Sequence, residues 1–581
     1  MASRGERVSM SERPWLAKYP ASVAAELGPI PFDHLPALVR QASADYADTV
    51  AFTQVMPNGM NGSLTYKKID QLSDDFAVYL REVVGLAPGD RVAVQMPNCL
   101  AYPIVAFGIM KAGLVLVNTN PLYTPTEMTH QFSDSGAKAL VIIDMFADRL
   151  PEVLPKTDIQ TVVTVKIAEY FPSAVAGVIR LVQKVWNRSL PKITVPHTRF
   201  QVAMKAGRGH PNRGDVVQYS AALNGDSLAA LQYTGGTTGV SKGAMLSHRN
   251  LISNTMQMLE MTEGFIRPGK ETVLTALPLY HIFAFTVNLL SFFHVGGRNI
   301  LIPSPRPPSN LKRAFENYKI TWVSGVNTLF GALLKERWFT DRPPKNMRGA
   351  VAGGMSLHDS VAIEWEKLTG IYLVEGYGLT ETAPVLTFNP LSGSAKIGTI
   401  GIPVPSTDVS VIDDEGTHLP VGEAGELVAK GPQIMLGYWQ KDQETTDSFI
   451  DGWFRTGDVA EMDADGFFTI VDRKKDVIVV SGFNVYPNEI EERIASMPGI
   501  VEVGVIGYPD DQAGERPRAY VVASHDAPSA EAIIEHCREH LARYKVPQSV
   551  VFVDELPKSP IGKILRRKLR DEAMSISEKG V

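Results

Sequence analysis

The sequence predicts an α/β protein. A large N-terminal part combines α/β layers with a small antiparallel β subdomain, and a small α+β C-terminal domain follows. Three observations carry this. Apolar strands alternate with amphipathic helices over residues 31–140, which is the pattern of largely parallel sheets. Turns bearing Pro, Gly and Asp then separate short strands over 395–471, the texture of an antiparallel sheet. A charged break at Lys474-Lys475-Asp476 opens a last unit with its own helices and strands. At 581 residues the chain exceeds what a single core supports. The boundary is placed so that 1–472 form the large domain and 473–581 the small one.

The elements follow in order. Residues 35–46 read as an amphipathic helix, 51–53 as a strand paired with 63–66, and 68–84 as a second helix. Strand patterns at 91–96, 113–117 and 139–144 are spaced by a helix at 99–110. Residues 174–190 break the rhythm. Arg180, Lys184 and Arg188 recur at a spacing that shares one helical face, and Ile179, Val182, Val185 and Trp186 fall largely on another. That segment is either an ordinary surface helix with a solvated basic side or an interfacial helix resting on anionic lipid, and the first reading is favoured. Residues 205–213, rich in Gly, Lys and Arg, read as a mobile connector.

The connector leads into the stretch around which the chemistry gathers, Tyr-Thr-Gly-Gly-Thr-Thr-Gly-Val-Ser-Lys-Gly at 233–243. A strand pattern at 227–232 precedes it, and apolar residues 244–248 lead into a helical run. Glycines let a backbone approach phosphate oxygens, hydroxyls and N–H groups donate to them, and Lys242 adds a point charge. A Walker A loop needs Gly-Lys-Ser/Thr at its end, but Ser241 precedes Lys242 and Gly243 follows it. A flexible linker would not be flanked by apolar strands.

Downstream, a strand at 273–278 ends near His281, with Phe283 and Phe285 behind it, a natural lining for an apolar substrate. Strand patterns at 321–326 and 349–354 follow, the second ending in Gly353-Gly354. Strand 372–375 then runs into Gly376-Tyr-Gly-Leu-Thr-Glu381, where Tyr377 can stack on a purine and Glu381 can hold a magnesium ion. Asp458, after a Thr-Gly turn, is placed to accept from a ribose diol. In the last unit 487–495 and 530–541 read as helices and 501–506 and 518–522 as strands.

Composition excludes several classes. A net charge of −6 offers no basic face for nucleic acid. The two cysteines, Cys99 and Cys537, are too far apart in sequence and lack the spacing for a zinc site or a disulfide scaffold, which points to a reducing, cytoplasmic setting. Neither a secretory leader nor a membrane-length apolar run is expected, so any membrane contact would be peripheral, at the inner face. Met10 is an alternative start, and a dimer is left open.

Taken together, residues 233–243, 376–381, 456–458, 472–473 and 557–563 resemble, in order, the signature stretches of the adenylate-forming (AMP-binding) acyl-CoA synthetases. Residues 451–475 and 481–489 look like the bacterial long-chain fatty acid–CoA ligase branch. The resemblance covers residues 50–570. It implies that ATP, magnesium, a fatty acid and coenzyme A meet here. The carboxylate attacks the α-phosphate, pyrophosphate leaves, and the coenzyme A thiolate then displaces AMP from the acyl-adenylate. Medium-chain or aryl-CoA ligases would share every phosphate residue, and a non-catalytic acyl- or nucleotide-binding protein would need neither Lys563 nor Glu381.

The resemblance assigns Thr234, Gly235, Gly236, Thr237, Thr238, Gly239, Ser241 and Lys242 to the phosphates, with Thr234, Glu381 and Lys563 expected to act in catalysis. Gly353, Gly354, Gly376, Tyr377, Gly378 and Thr380 would form the adenine side, and Asp458 and Arg473 the ribose contacts. Glu381 would carry the metal, and Lys475 would be the hinge about which the small domain swings. His281 and Phe285 would line the acyl tunnel, Phe285 standing near the position where a family member has a gating Trp, and Gly482 would line the coenzyme A tunnel.

Overall fold

A computed structural model describes residues 13–186, 189–234, 241–391, 393–481, 483–510, 513–524, 526–558 and 564–578. Two large sheets form the body. A seven-stranded sheet runs in the order Thr198–Arg199, Thr161–Val165, Ala139–Ile143, Arg91–Gln95, Val115–Asn118, Leu228–Thr234, Lys242–Ser247. All of its pairs are parallel except the last. A nine-stranded sheet has a parallel centre, from Leu373–Gly378 through Gly349–Gly353 and Trp322–Gly325 to Val50–Val55, with antiparallel pairs at both ends. The sequence dictates this arrangement. Ala139–Ile143 is apolar and buried at every position, as strands covered on both faces must be.

One apolar cluster joins the two sheets, taking Phe52 and Val273 from one and Val92 and Val141 from the other. The helix Ala101–Lys111 lies buried along its whole length within it. Even Lys111 is fully enclosed, and its ammonium reaches Asp74 at 2.8 Å and also Asp70. A buried cation without such partners would be prohibitively costly.

Residues 408–473 form the expected antiparallel sheet of five strands. A last five-stranded sheet, built from Ile478–Val480, Phe483–Val485, Ile500–Asp510, Gly514–Ala523 and Ser549–Phe552, carries its own apolar cluster from Ile478 to Cys537. No helix among the described residues is long and apolar enough to cross a membrane.

Two expectations need correction. Residues 205–213 are not a loose connector, because helix Phe200–Arg208 runs into the 3₁₀ stretch Pro211–Ser220. Arg208 and Arg213 both grip buried Asp75, at 2.9 and 2.7 Å. Gly207 is there for close approach, since a Cβ would sit 1.8 Å from the Asp75 carbonyl oxygen. In the 174–190 segment, helix Ser173–Leu181 continues as a π-turn at Val182–Trp186. Ile179 faces the core, as the apolar side of a surface helix does, but Arg180 is paired with buried Asp144 and does not belong to the solvated basic face expected of it. Val178, Leu181, Val182 and Val185 are instead exposed, and Trp186 is 86 % exposed. Arg188 lies outside the described residues.

Candidate active site

The glycine-rich stretch closes an antiparallel hairpin at the edge of the seven-stranded sheet, with Thr234 opposite Lys242 and Tyr233 opposite Gly243. Gly235, Gly236, Thr237, Thr238 and Gly239 lie outside the described residues, but both stems are fixed. The Tyr233 hydroxyl donates to Asp134 at 2.6 Å, and the His130 ring meets the Ser241 carbonyl oxygen at 2.9 Å. A Cβ at Gly243 would press within 3.1 Å of the Tyr233 ring, so a glycine keeps the stems in register.

A third segment zips onto this hairpin. Met245 N–H donates to the Gly437 carbonyl and Trp439 N–H to that of Gly243, which lays Tyr438 alongside the strand. The Lys242 ammonium stands 5.2 Å from the Tyr438 ring centre. The Tyr438 hydroxyl donates to Glu381 Oε1 at 2.7 Å, and Met435 N–H donates to the Glu381 carbonyl. Nothing local in the sequence marks Tyr438.

Glu381 is 8 % exposed, and burial raises its pKa while the Tyr438 hydroxyl opposes the rise. A carboxylate in this position is stabilised by a cation. One oxygen accepts from Tyr438, and burial still outweighs this, a backbone N–H and the Arg473 cation, so the residue fits the magnesium ion expected of it.

The second cluster joins the large body to the antiparallel subdomain. The Tyr377 hydroxyl donates to Asp458 Oδ2 at 2.6 Å, and Arg473 stands opposite Asp458 in the strand ladder, Nε to Oδ1 3.5 Å. Burial, reinforced by Asp458, raises the Tyr377 pKa, so the phenol stays protonated and donates. Gly353 pairs with Gly376, and a Cβ on Gly378 would sit 1.8 Å from the Pro384 carbonyl oxygen. Gly354 takes φ +77°, a conformation that suits glycine. Thr380 opens the 3₁₀ turn that carries Glu381.

A small apolar cavity of about 20 Å³, room for a single water, is walled in part by Met258, Val287, Phe292, Trp322 and Val351, two residues before Gly353 on the same strand. Phe283 packs against Gly353, 3.2 Å from where its Cβ would be. Phe285 is fully buried in the π-helix Ala284–Ser291, whose Val287 and Ser291 reach the cavity. His281 begins that turn, its carbonyl accepting from Phe285 N–H. Neither His281 nor Phe285 is among the lining side chains.

At the junction with the last sheet, burial lowers the Lys475 pKa and the Arg473 cation adds to this, while Asp476 and Asp458 pull the other way. Asp472, the neighbour of Arg473, accepts from Asn488 N–H at 2.8 Å and from Arg566 at 3.1 Å. Arg566 also reaches Glu491 at 2.7 Å. Burial alone would lower the Arg566 pKa, but Glu491 and Asp472 reverse this and raise it. Lys563 and Gly482 lie outside the described residues.

Comparisons with known proteins agree with this geometry. The AMP-binding enzyme model matches residues 39–439, and that of the AMP-binding enzyme C-terminal domain matches 489–563. The chain is 46 % identical to the long-chain-fatty-acid–CoA ligase of Salmonella typhimurium, over 96 % of its own length and 98 % of the relative's. Identity to the ligase of the same name from Yersinia pestis is also 46 %, over 97 % and 99 %. Among solved structures, ATP-bound MatB from Rhodopseudomonas palustris superposes with a TM-score of 0.80 at 28 % identity, covering 94 % of this chain and 100 % of that one. A glycine hairpin with a buried acid behind it, two sheets around one core and a model match over most of the length lead to one assignment: the chain belongs to the AMP-binding enzyme family.

Proposed function

We propose that this protein activates a long-chain fatty acid with ATP, forming an acyl-adenylate and then acyl-CoA, with release of pyrophosphate and AMP. The observation that carries the adenylation reading is the Glu381–Tyr438–Lys242 cluster behind the glycine hairpin, and 46 % identity to a long-chain-fatty-acid–CoA ligase supports the acyl substrate. Val351, in the wall of the small apolar cavity, lies on the same strand as Gly353, which pairs with Gly376 of the Tyr377 cluster. At about 20 Å³ that cavity would have to open by side-chain movement to take an apolar tail, whose carboxylate would then lie toward the polar cluster.

A carboxylate is a poor electrophile, because its charge repels nucleophiles and it lacks a good leaving group. In the first half-reaction the carboxylate is itself the nucleophile, so the residues have to hold phosphates and stabilise charge. The hydroxyls of Thr234, Thr237, Thr238 and Ser241, the loop N–H groups and Lys242 would hold the β- and γ-phosphates. Tyr377 would cover the adenine with Gly353, Gly354, Gly376 and Gly378, and Asp458 and Arg473 would accept the ribose. Glu381, oriented by Tyr438, would hold magnesium, which supplies neutralisation of phosphate charge. Thr380 would support that turn.

In this reading 1–472 and 473–581 act as large and small domains that pivot at Lys475. Lys563 would bridge carboxylate and α-phosphate in one pose. Gly482 would line the path of the pantetheine arm in the other, with His281 and Phe285 supporting the acyl end. The exposed face Val178, Leu181, Val182, Val185 and Trp186, with Lys184 beside it, would rest on a lipid surface from which the substrate is collected.

The decisive assay is coenzyme A-dependent AMP release across saturated fatty acids of increasing length and against an aromatic acid. Turnover rising toward the long chains is expected. A preference for the aromatic acid overturns the substrate assignment while leaving the adenylation residues in place.

A further inference from the structure

The last turn of helix Ala530–His540, on the outside of the C-terminal sheet, carries a group of side chains with no part in the chemistry above. His536, Glu539 and His540 offer three ligand atoms that all lie within 4.8 Å of one another. Positions i, i+3 and i+4 share one helical face, so the backbone itself brings them together. The two imidazole rings lie 4.5 Å apart at 43°.

The hydrogen bonds pick out the nitrogens. His540 Nδ1 meets the His536 carbonyl oxygen at 2.8 Å. A carbonyl only accepts, so Nδ1 carries the proton and the neutral ring keeps the Nε2 lone pair free. A ring nitrogen anchored to a carbonyl while the other stays available is the arrangement metal-binding histidines use. His536 Nε2 is shut from solvent without a hydrogen-bond partner. That is an unsatisfied polar atom, which burial makes costly unless something occupies it.

The surroundings suit a cation. The group sits at the helix C-terminus, where the backbone dipole favours positive charge. Nearby Arg538 is turned to Glu535, at 2.7 Å. Cys537 packs into the core with Ile533, on the other side of the helix, and so stays out of the ligand set.

We infer that His536, Glu539 and His540 bind one divalent transition-metal ion of the zinc class, in a site open to water on its outer side. Two imidazoles and a carboxylate favour Zn²⁺ or Ni²⁺ over Mg²⁺ or Ca²⁺, which take all-oxygen sets. The site would clamp the last turn of the helix and is separate from the magnesium expected at Glu381.

Calorimetric titration of the full chain, purified without a polyhistidine tag, with Zn²⁺ in the absence of ATP tests this. One equivalent should bind. His540→Ala, at an exposed position, should weaken binding at least about tenfold while the thermal midpoint of the metal-free protein is unchanged. His536→Ala should do the same, and Arg538→Ala, off the cluster, should bind as wild type. A wild-type chain that takes up no Zn²⁺, or a His540→Ala variant that binds it equally well, overturns the site.

Discussion

At the scale of single residues, the site depends on side chains that steady other side chains. Tyr438 donates to Glu381 and faces Lys242, so it orients both the acid and the lysine. Tyr438→Phe should lower the rate of adenylation roughly tenfold, because a hydrogen bond to a charged group is worth about 1.5 kcal/mol or more. ATP–pyrophosphate exchange measures it, and an unchanged rate with an unchanged magnesium requirement would remove Tyr438 from the site. Lys563→Ala should cripple the same exchange on the order of 100-fold while sparing thioester formation from supplied acyl-adenylate. An equal loss in both half-reactions would refute the bridging role. Most of the Tyr377–Asp458–Arg473 cluster was legible in the sequence because Gly376–Glu381 and Thr456–Asp458 are compact local patterns. Tyr438 was not, since it reaches Glu381 across 57 positions through the packing of 435–439 onto the hairpin.

At the scale of elements, local pattern succeeds where packing follows periodicity and fails where a neighbour overrides it. The buried strand Ala139–Ile143 and the turn-rich sheet of 408–473 were both readable. Residues 205–213 misled because their composition is that of a linker, whereas Gly207 serves a tight helix crossing and Arg208 and Arg213 serve Asp75. The 173–186 segment misled in a different way. Helical spacing put Ile179, Val182, Val185 and Trp186 on one apolar face and left Arg180 solvated, but the core takes only Ile179, Asp144 takes Arg180, and the π-turn carries Val185 and Trp186 out into solvent. The lipid attachment proposed above would therefore rest on the apolar side chains, with Lys184 adding about 1 kcal/mol at an anionic surface. Replacing Leu181, Val185 and Trp186 together by Glu should abolish co-sedimentation with anionic vesicles and leave turnover of detergent-dispersed substrate intact. Should the triple variant pellet like wild type, the segment does not bind lipid.

At the scale of the whole molecule, three carboxylates meet where the body faces the C-terminal unit. Burial raises the Glu375 pKa to about 8, opposed by the Leu357 N–H and reinforced by Asp359 and Glu492. Burial and Asp359 raise Glu492 as well. A carboxyl whose folded pKa is raised holds a proton that the unfolded chain has lost. Its contribution is complete below the ordinary carboxylate range and disappears as pH rises through about 8. The junction should therefore loosen steadily as pH rises from the ordinary carboxylate range to about 8, and no further above it, seen as faster limited proteolysis near 473–477. Glu375→Gln should flatten that profile, and an identical pH dependence in the variant would show that the carboxyl is irrelevant there.

Asp472 and Arg473 occupy consecutive positions of one strand, and a strand turns consecutive side chains to opposite faces. One anchors Asn488 and Arg566, and the other stands by Asp458. The chain between Asp458 and Asp472 therefore behaves like a genetic ruler whose length matters more than its lettering. Codon changes at exposed Ala464, in the turn between the two strands, leave both faces where they are. Loss or gain of a single codon within the paired strands would exchange the two faces, handing the junction the arginine and the nucleotide site the aspartate. In-frame indels there should be purged by selection even where substitutions are tolerated.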